Sequence, residues 1–505
     1  MSHFSQTALI TVFLWATFLA AQIIYRLFLH PLAKFPGSWL ASCSYLYEFY
    51  YDVIKRGKYV HKIEEMHRRY GPIIRINPHE LHIYDSNYFD SIYCVGKWNK
   101  PLYMVYSLDL GLSAFGTTDH KVHRLRRGAL NPFFSKQKVN EMQHLIQQHI
   151  KKLCDKLEKY RNTGIPIDFE SAFGDFTLDI ISEYCMDKSL GLLDRKDFDS
   201  SFRQAFRGLG ELGHMVKLSP WIMTIFSSLP KSLVLWFNPN IKLLFDWDDN
   251  CLRMAEDLLR PENKAVKGHP TVMREILADP ELSPSDKTAI RLKSEAKTVL
   301  NAGTGTISWA LVTAVWYLTT MPDKMERLRT EIRTVMPDPL CPVELTKLER
   351  LPYFTAVLHE TLRLGFGAPM RSARAAPDRI LTYTDQKSSK EWQIPQGTAV
   401  SMSIPHLHFD PNVFTNPHTF HPERWLVPTE ERFKLEKYFA PFSKGSRNCL
   451  GISLSWAELY ISLAHFVMRI DLEPYQTTHE HIEFVSDMFL AEPKNWKDGP
   501  RFLVK

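Results

Sequence analysis

From Ala8 to Tyr25 (ALITVFLWATFLAAQIIY) the chain is apolar without interruption and carries no charge. Wound as a helix, this run spans about 27 Å, close to the thickness of an endoplasmic reticulum bilayer. Arg26, His30 and Lys34 follow at once, and no Lys or Arg precedes. The positive-inside rule therefore predicts a single-pass anchor, residues 1–29, with the bulk of the chain on the cytoplasmic side. The rival, a cleaved signal peptide, is disfavoured by the missing basic start and by the length of the run. HPLAKFPGSW, from His30 to Trp39, then holds two prolines and a glycine, which stop a helix. It reads as a stiff extended neck or as a plain linker.

Past the neck the pattern changes period several times. YVHKIEEMHRRY (Tyr59 to Tyr70) is helical and is stopped by Gly71-Pro72. IIRINPHELHIYD alternates around Asn77-Pro78 and predicts a strand hairpin. From about residue 115 to 335 helical periodicity dominates, with breaks near Gly164-Ile165-Pro166, Asn238-Pro239 and Gly268-His269-Pro270. Short strands are expected near Arg379 to Tyr383 and Ala399 to Ser403. A proline-rich stretch runs from Pro405 to Pro428, and one more helix follows Gly451. No repeat, low-complexity tract or interdomain linker interrupts this order. The expectation is one mainly α domain with small β-sheets, residues 30–505, behind the anchor.

Composition narrows the function classes. Hydrophobic residues make up 45% and charged residues 23%, which excludes a disordered or collagen-like chain. The net charge of +6 is too small to imply nucleic acid but leaves room for one basic docking face. Seven cysteines lie singly, with no CxxC pair, so neither a disulfide framework nor a structural zinc is expected. His406, His408, His418 and His421 crowd together, but prolines surround them and no ligand set at familiar spacing is completed, so a metal site is rejected there too.

One cysteine has special surroundings. In FSKGSRNCLG, Phe442 to Gly451, Cys449 sits just before a helix-forming run. Amides at a helix start stabilise negative charge, and so a thiolate. Gly445 and Gly451 allow tight turns and close approach to a flat ligand. Arg447 sets a cation two residues before the thiol, where an anionic group could meet it.

The spacing Phe442-x-x-Gly445-x-Arg447-x-Cys449-x-Gly451 resembles the haem-binding signature of the cytochromes P450, the haem-thiolate monooxygenases. Further motifs follow in that family's order, from the neck to the last helix. Glu360-x-x-Arg363 and Arg424 of PERW look like the family's buried Glu-Arg-Arg lock, a structural device. Arg371 is similar in position to an arginine that pairs with a haem propionate, with Arg374 as the alternative. GFGAPM, Gly365 to Met370, looks like a substrate-facing loop. Ala302-Gly303-x-x-Thr306 matches the family's oxygen-binding groove, although close helix packing alone would also explain the glycines. Gly305 departs from the family, which usually has Asp or Glu there, and this puts the acid-assisted proton relay in question. DHKVHRLRRGALNPFFS resembles the helix whose Trp-x-x-x-Arg touches a propionate. His123 and Arg127 take those places when aligned on Pro132, and His120 and Arg124 have the same spacing. Lys121, Arg124 and Arg126 read as a solvated basic face that could meet an acidic redox partner.

The resemblance implies haem b on a Cys449 thiolate, and O2 activated for insertion into an apolar small molecule. It implies electrons from NADPH through cytochrome P450 reductase, with cytochrome b5 as a further donor. The neck, the NPHELHIYD hairpin and DHKVHRLRRGALNPFFS look like ascomycete microsomal members of secondary-metabolite pathways. That suggests a terpenoid, meroterpenoid or polyketide intermediate, hydroxylated or epoxidised at the endoplasmic reticulum membrane. Two alternatives stay open at this point: a haem-thiolate isomerase or peroxide-using enzyme, and a non-enzymatic haem sensor.

Overall fold

The computed structural model describes residues 3–106, 110–186, 188–199, 201–218, 221, 228–237, 242–260 and 271–505. The expected breaks at Asn238-Pro239 and Gly268-His269-Pro270 lie outside them. The first helix, α1 (His3–Ile24), runs on through a wider π turn at Tyr25–Leu29 and ends where His30 becomes extended. Its apolar stretch Leu9–Leu29 is unburied along its whole length.

The neck is more than a linker. Leu32 and Phe35 are buried in the cluster that also holds Ile73, Leu81 and Ile83. Arg26 donates to the Cys43 carbonyl at 2.8 Å, and Arg75 donates back to the Arg26 carbonyl at 2.7 Å. These bonds tie the end of the apolar helix to the sheet behind it.

Helix α2 (Tyr59–Tyr70) forms at its expected ends, and Gly71 closes it with φ 104°. Strands β1 (Ile73–Asn77) and β2 (Glu80–Ile83) make the expected antiparallel hairpin, with Ile73 opposite Ile83. All their side chains are buried, because both sheet faces are covered. The chain then supplies α3 (His120–Leu130), α4 (Gln143–Glu158), α5 (Phe169–Met186), α6 (Ser201–Leu218) and α7 (Lys242–Leu259). At the centre lies α8 (Ala289–Thr320), 32 residues long and therefore about 48 Å. It packs along α5 and α7, and the Thr288 side chain caps its start. The threonines of α8 are buried at little cost, since Thr298, Thr304 and Thr313 donate to carbonyls one turn back at 2.7–2.8 Å. Helix α9 (Pro352–Leu364) crosses α8. Strands β3 (Arg374–Ala375) and β4 (Ala399–Ser401) complete the first sheet in the order β1-β2-β4-β3. The helix expected after Gly451 is α10 (Ile452–Arg469). Strands β5 (Ser486–Met488) and β6 (Leu490–Glu492) form a hairpin beyond it.

The proline-rich stretch before α10 is held by one carboxylate. Glu360 on α9 accepts five hydrogen bonds, from Arg363 Nε and Nη2, Arg424 Nε, Trp425 Nε1 and the His421 N–H, at 2.8–3.0 Å. Burial works to raise its pKa. The bonds and charge of Arg363, the charge of Arg424 and the His421 N–H outweigh that and hold it below the ordinary value. Arg363 spends its remaining donors on the carbonyls of His408, Pro417 and Thr419, and Arg424 reaches that of Thr415. His408 continues the chain of bonds. One ring nitrogen faces the Arg363 carbonyl at 3.0 Å, and the other accepts from the Ala440 N–H at 3.0 Å. The crowded histidines of this stretch thus have separate tasks. His406 meets the Val60 carbonyl, His418 packs on Phe409, and His421 lies 3.0 Å from Glu423.

Two outcomes follow from this network. Glu360→Ala strands two buried guanidinium groups, a loss of about 3–5 kcal/mol, so purified protein should carry little cofactor and unfold at lower temperature. Normal cofactor content would contradict the structural role. The second outcome concerns acid. His408 is pushed down to about 3 by burial and by Arg363, and His67, against His82, is pushed down to about 3 by burial. The unfolded chain therefore takes up protons that the folded chain refuses. Stability is flat above about pH 6.5 and falls below it by about 1.4 kcal/mol per pH unit for each such histidine. Thermal unfolding between pH 7.5 and 5 measures the slope.

Candidate active site

The segment Phe442–Gly451 folds as a tight loop ahead of α10. The Cys449 N–H donates to the Phe442 carbonyl at 2.9 Å and closes it, and Asn448 N–H donates to the Gly445 carbonyl at 3.1 Å. Gly445 has φ 69°, and a Cβ there would lie 1.9 Å from the Tyr93 carbonyl. Only glycine fits that position. Phe442 packs near Trp456 at the base of the loop, and Gly451 leads directly into α10.

Cys449 is surrounded by protein, yet its side chain is exposed. It faces an internal cavity. Burial pushes the thiol up, while the Gly451 N–H and the charge of Arg127 pull it down, and burial prevails. The helix start alone thus does not give the thiolate that the sequence suggested; another partner for the sulfur must complete it.

Cations gather around the same cavity. Strand β3 pairs with Asn99 through bonds of 2.9 and 3.0 Å, which places Arg374 beside Lys100. Asp119 caps α3 through the N–H groups of Lys121 and Val122, and this sets His123 and Arg127 one turn apart on one face. Arg127 reaches the loop itself, donating to the Asn448 carbonyl at 2.6 Å and to Asn448 Oδ1 at 2.7 Å. Arg447 donates to the Thr117 and Thr118 carbonyls, and its Nε has no partner. Lys100 donates to the Phe115 carbonyl at 2.6 Å.

Among the described residues none of Lys100, Arg127, Arg374 and Arg447 lies within ion-pair distance of a carboxylate. Their mutual repulsion is visible. Arg447 is lowered to about 9 by burial and then by Arg374 and Arg127. Lys100 is driven well below its ordinary value by burial and by Arg374, Arg447 and Arg127. His123 is lowered to about 2 by burial, Arg447, Lys100 and Arg127. Three buried cations and the half-buried Arg127, with no counter-charge and set beside an inward-facing thiol, fit a flat dianionic cofactor carrying two carboxylates.

Two expectations from the sequence change here. Arg371 does not join this cluster. It is buried against Glu48, with Asp52 and Glu80 at 3.7 and 3.6 Å, so its charge is already neutralised. Arg374, the alternative, takes the place beside the loop. Arg126 is not part of a solvated face either, since it donates to Asp286 Oδ1 and Thr117 Oγ1 at 2.9 Å. Lys121 and Arg124 are exposed, and His120 is half-buried at the first residue of α3, within the charge influence of Arg447. Lys100 was missed. Its immediate sequence offers no periodicity or spacing that marks it, and only the Asn99–Ala375 pairing brings it in.

On the opposite wall, α8 shows Ala302 exposed and Thr306 half-buried, between buried Asn301, Thr304 and Ile307. The Thr306 hydroxyl donates to the Ala302 carbonyl at 2.8 Å. A Cβ on Gly303 would lie 2.7 Å from Ile181 Cγ1 of α5, so packing does account for that glycine. The loop from Gly365 lies against this wall, where a Cβ on Gly367 would lie 2.8 Å from Thr306 Cβ.

Arg374→Gln should weaken cofactor retention with only a small change in unfolding temperature. Arg371→Gln should destabilise the fold, because it strands Glu48 and its neighbours. Cofactor loss and thermal unfolding, measured on both variants, separate the two roles; equal behaviour would contradict them.

Comparison with known proteins agrees with this geometry. The family model described as "Cytochrome P450" matches residues 47–497. "Cytochrome P450 monooxygenase tpcC" of Cochliobolus heterostrophus is 39% identical over 445 residues, 87% of this chain and 84% of that protein. "Tryptophan 6-hydroxylase fscE" of Fusarium equiseti is 37% identical over 501 residues, 98% of this chain and 96% of that one. "Cytochrome P450 monooxygenase TRI4" of Trichoderma arundinaceum is 36% identical over 482 residues, 95% of this chain and 92% of its own. Among solved structures, the cytochrome P450 CYP102L1 superposes with a TM-score of 0.70 at 19% identity, covering 88% of this chain and 94% of that one.

Proposed function

We propose, from the premise that this chain belongs to the cytochrome P450 family, that it is a haem-thiolate monooxygenase acting on an apolar secondary-metabolite intermediate. The reaction class is R–H + O2 + NADPH + H⁺ → R–OH + H2O + NADP⁺, or the matching epoxidation. The observation that carries the reading is the inward-facing thiol of Cys449 beside buried cations that lack a counter-charge.

Haem bound by the Cys449 thiolate supplies the dioxygen and one-electron chemistry, with the thiolate donating electron density that favours O–O cleavage. The chain's own residues do the rest. Lys100, Arg127, Arg374 and Arg447, with neutral His123 beside them, hold and neutralise the two propionates. Phe442, Gly445 and Gly451 fix the loop so that the sulfur has one position. Ala302, Gly303 and Thr306 form the oxygen side, and the Thr306 hydroxyl is the proton donor nearest to it. The loop from Gly365 packs on Thr306.

Electrons come from a reductase, NADPH–cytochrome P450 reductase, with cytochrome b5 as a second donor. Lys121 and Arg124, exposed on the helix whose Arg127 touches the cysteine loop, suit an acidic redox partner. The apolar helix Leu9–Leu29 serves as a single-pass anchor in the endoplasmic reticulum, with residues 30–505 as the cytoplasmic catalytic domain. Feeding terpenoid, meroterpenoid and polyketide intermediates to a host that expresses the chain, and looking for products heavier by one oxygen, tests the substrate class.

Cys449→Ser should abolish the red-shifted carbon monoxide band of the reduced protein, which marks thiolate ligation. Survival of that band would move the ligand to another cysteine.

A further inference from the structure

One buried carboxylate has no part in the catalytic site. Asp175 on α5 is 1% exposed and lines a separate cavity of about 200 Å³ between α5, α6 and α7, far more space than one water needs. Neither Cys449 nor Thr306 lines it. Its walls are mostly apolar, with Leu178 of α5, Leu190 and Leu192 of the following loop, and Leu243, Leu244 and Trp247 of α7. Trp247 donates to Asn301 Oδ1 at 3.0 Å, which joins this wall to α8 beside Ala302.

The polar groups of this cavity are few, and their charges do not balance. Asp199 pairs with Arg195 at 2.6 Å, and Asp246 pairs with Lys242 at 2.6 Å. Asp175 Oδ2 accepts from the Asp199 N–H at 2.9 Å, while Oδ1 has no hydrogen-bond partner among the described residues. Lys156 of α4 turns its ammonium to the Asp197 carbonyl at 3.2 Å and over the Phe198 ring, beyond ion-pair distance of Asp175. An apolar wall with one polar group to fix orientation is the usual layout of a small-molecule site. The uncompensated carboxylate selects a cation, because a buried charge is costly without a partner. Among the described residues no His, Cys, Asp and Glu are grouped to hold a metal ion, so the cation is organic. Trp247 adds an aromatic ring of the kind on which alkylammonium heads are held.

We propose that this cavity is a second ligand site, for a small apolar molecule with an alkylammonium head, the head on Asp175 and the chain against the leucines of α5 and α7. The occupant bears on α8 through the Trp247–Asn301 bond, one residue from Ala302 on the oxygen side. The site is separate from the catalytic cavity, so the inference does not depend on the monooxygenase reading. Burial raises Asp175 to about 7. The charges of Asp199 and Asp179 push the same way, and the Asp199 N–H and Lys156 oppose them. Arg195 and Asp246 also face the cavity. A permanent cation takes the ionised carboxylate, so affinity rises with pH through that value.

The test titrates hexyltrimethylammonium into the full-length holoenzyme and its Asp175→Asn and Ala205→Phe variants. This probe has the charge and the chain but no lone pair with which to ligate a haem iron. Ala205 of α6 lines the cavity, and a phenyl ring there fills it. Calorimetry should show one saturable site on the parent, about tenfold weaker on Asp175→Asn and absent on Ala205→Phe. The haem absorption spectrum should stay unchanged throughout. Affinity of the parent should rise about tenfold from pH 6 to pH 8, as the ionised fraction of such a group does, and Asp175→Asn should show no such rise. A crystal structure of the parent with the probe should place its nitrogen beside Asp175 Oδ1. If Asp175→Asn does not fold, Ala205→Phe and that crystal structure decide. Absence of binding, or equal affinity in the parent and Asp175→Asn, overturns the site. So does a shifted haem spectrum, which puts the probe in the catalytic cavity instead.

Discussion

The carboxylate of Glu360 is the fixed point to which the cysteine loop is referred. It is fully buried, as is Arg363, and Arg424 nearly so. A buried ion group of this kind adds little net stability over an apolar equivalent, but it is unforgiving of rearrangement. Here that property is useful. The stretch from His408 to His421 has little regular structure to define its path, and its carbonyls are placed instead by donors radiating from Arg363 and Arg424. His408 passes the constraint on to Ala440, two residues before the loop closes. Rigidity in the loop is thus inherited from a helix on the far side of the meander.

The cation cradle obeys the opposite logic. Its members are held by backbone carbonyls and by the packing around them, and they repel each other in the absence of an anion. Arg371 and Arg374, three residues apart in one segment, illustrate both kinds of burial. One is satisfied within the protein, against Glu48 and its neighbours. The other is left with the Ser372 hydroxyl and the Ala373 carbonyl, and a cofactor-sized demand for negative charge. The strain of the second arrangement is the affinity of the site.

Much of this was legible in the chain. The ends of Tyr59–Tyr70, the hairpin at Asn77-Pro78 and the long central helix follow from period and stop signals. The loop around Cys449 and the Glu-Arg-Arg lock were implied by the family resemblance that their motifs carry. Other features had no local signal. The helix Thr429–Tyr438 is mostly polar, and its Phe433, Leu435 and Tyr438 do not line up as an apolar stripe. The choice between Arg371 and Arg374 depends on Glu48, Asp52 and Glu80, hundreds of residues away in sequence. Lys100 enters through one pair of backbone bonds with β3. Arg126 looked solvated because its partner, Asp286, lies far along the chain, in the turn Pro284–Lys287 just ahead of α8. Each of these outcomes was decided by a neighbour that folding brings in, which local periodicity does not encode.

The anchored neck has a mechanical consequence. Leu32 and Phe35 are part of the sheet's core, and Arg26 and Arg75 clasp the end of the apolar helix to it. The helix and the body therefore share one orientation, like a shaft keyed into a hub. A tilt of the helix is passed on to the sheet behind it rather than absorbed in the neck. The same joint dictates where the chain can be shortened. A cut before Leu32 frees the body whole, whereas a cut after Phe35 removes two plugs from the core.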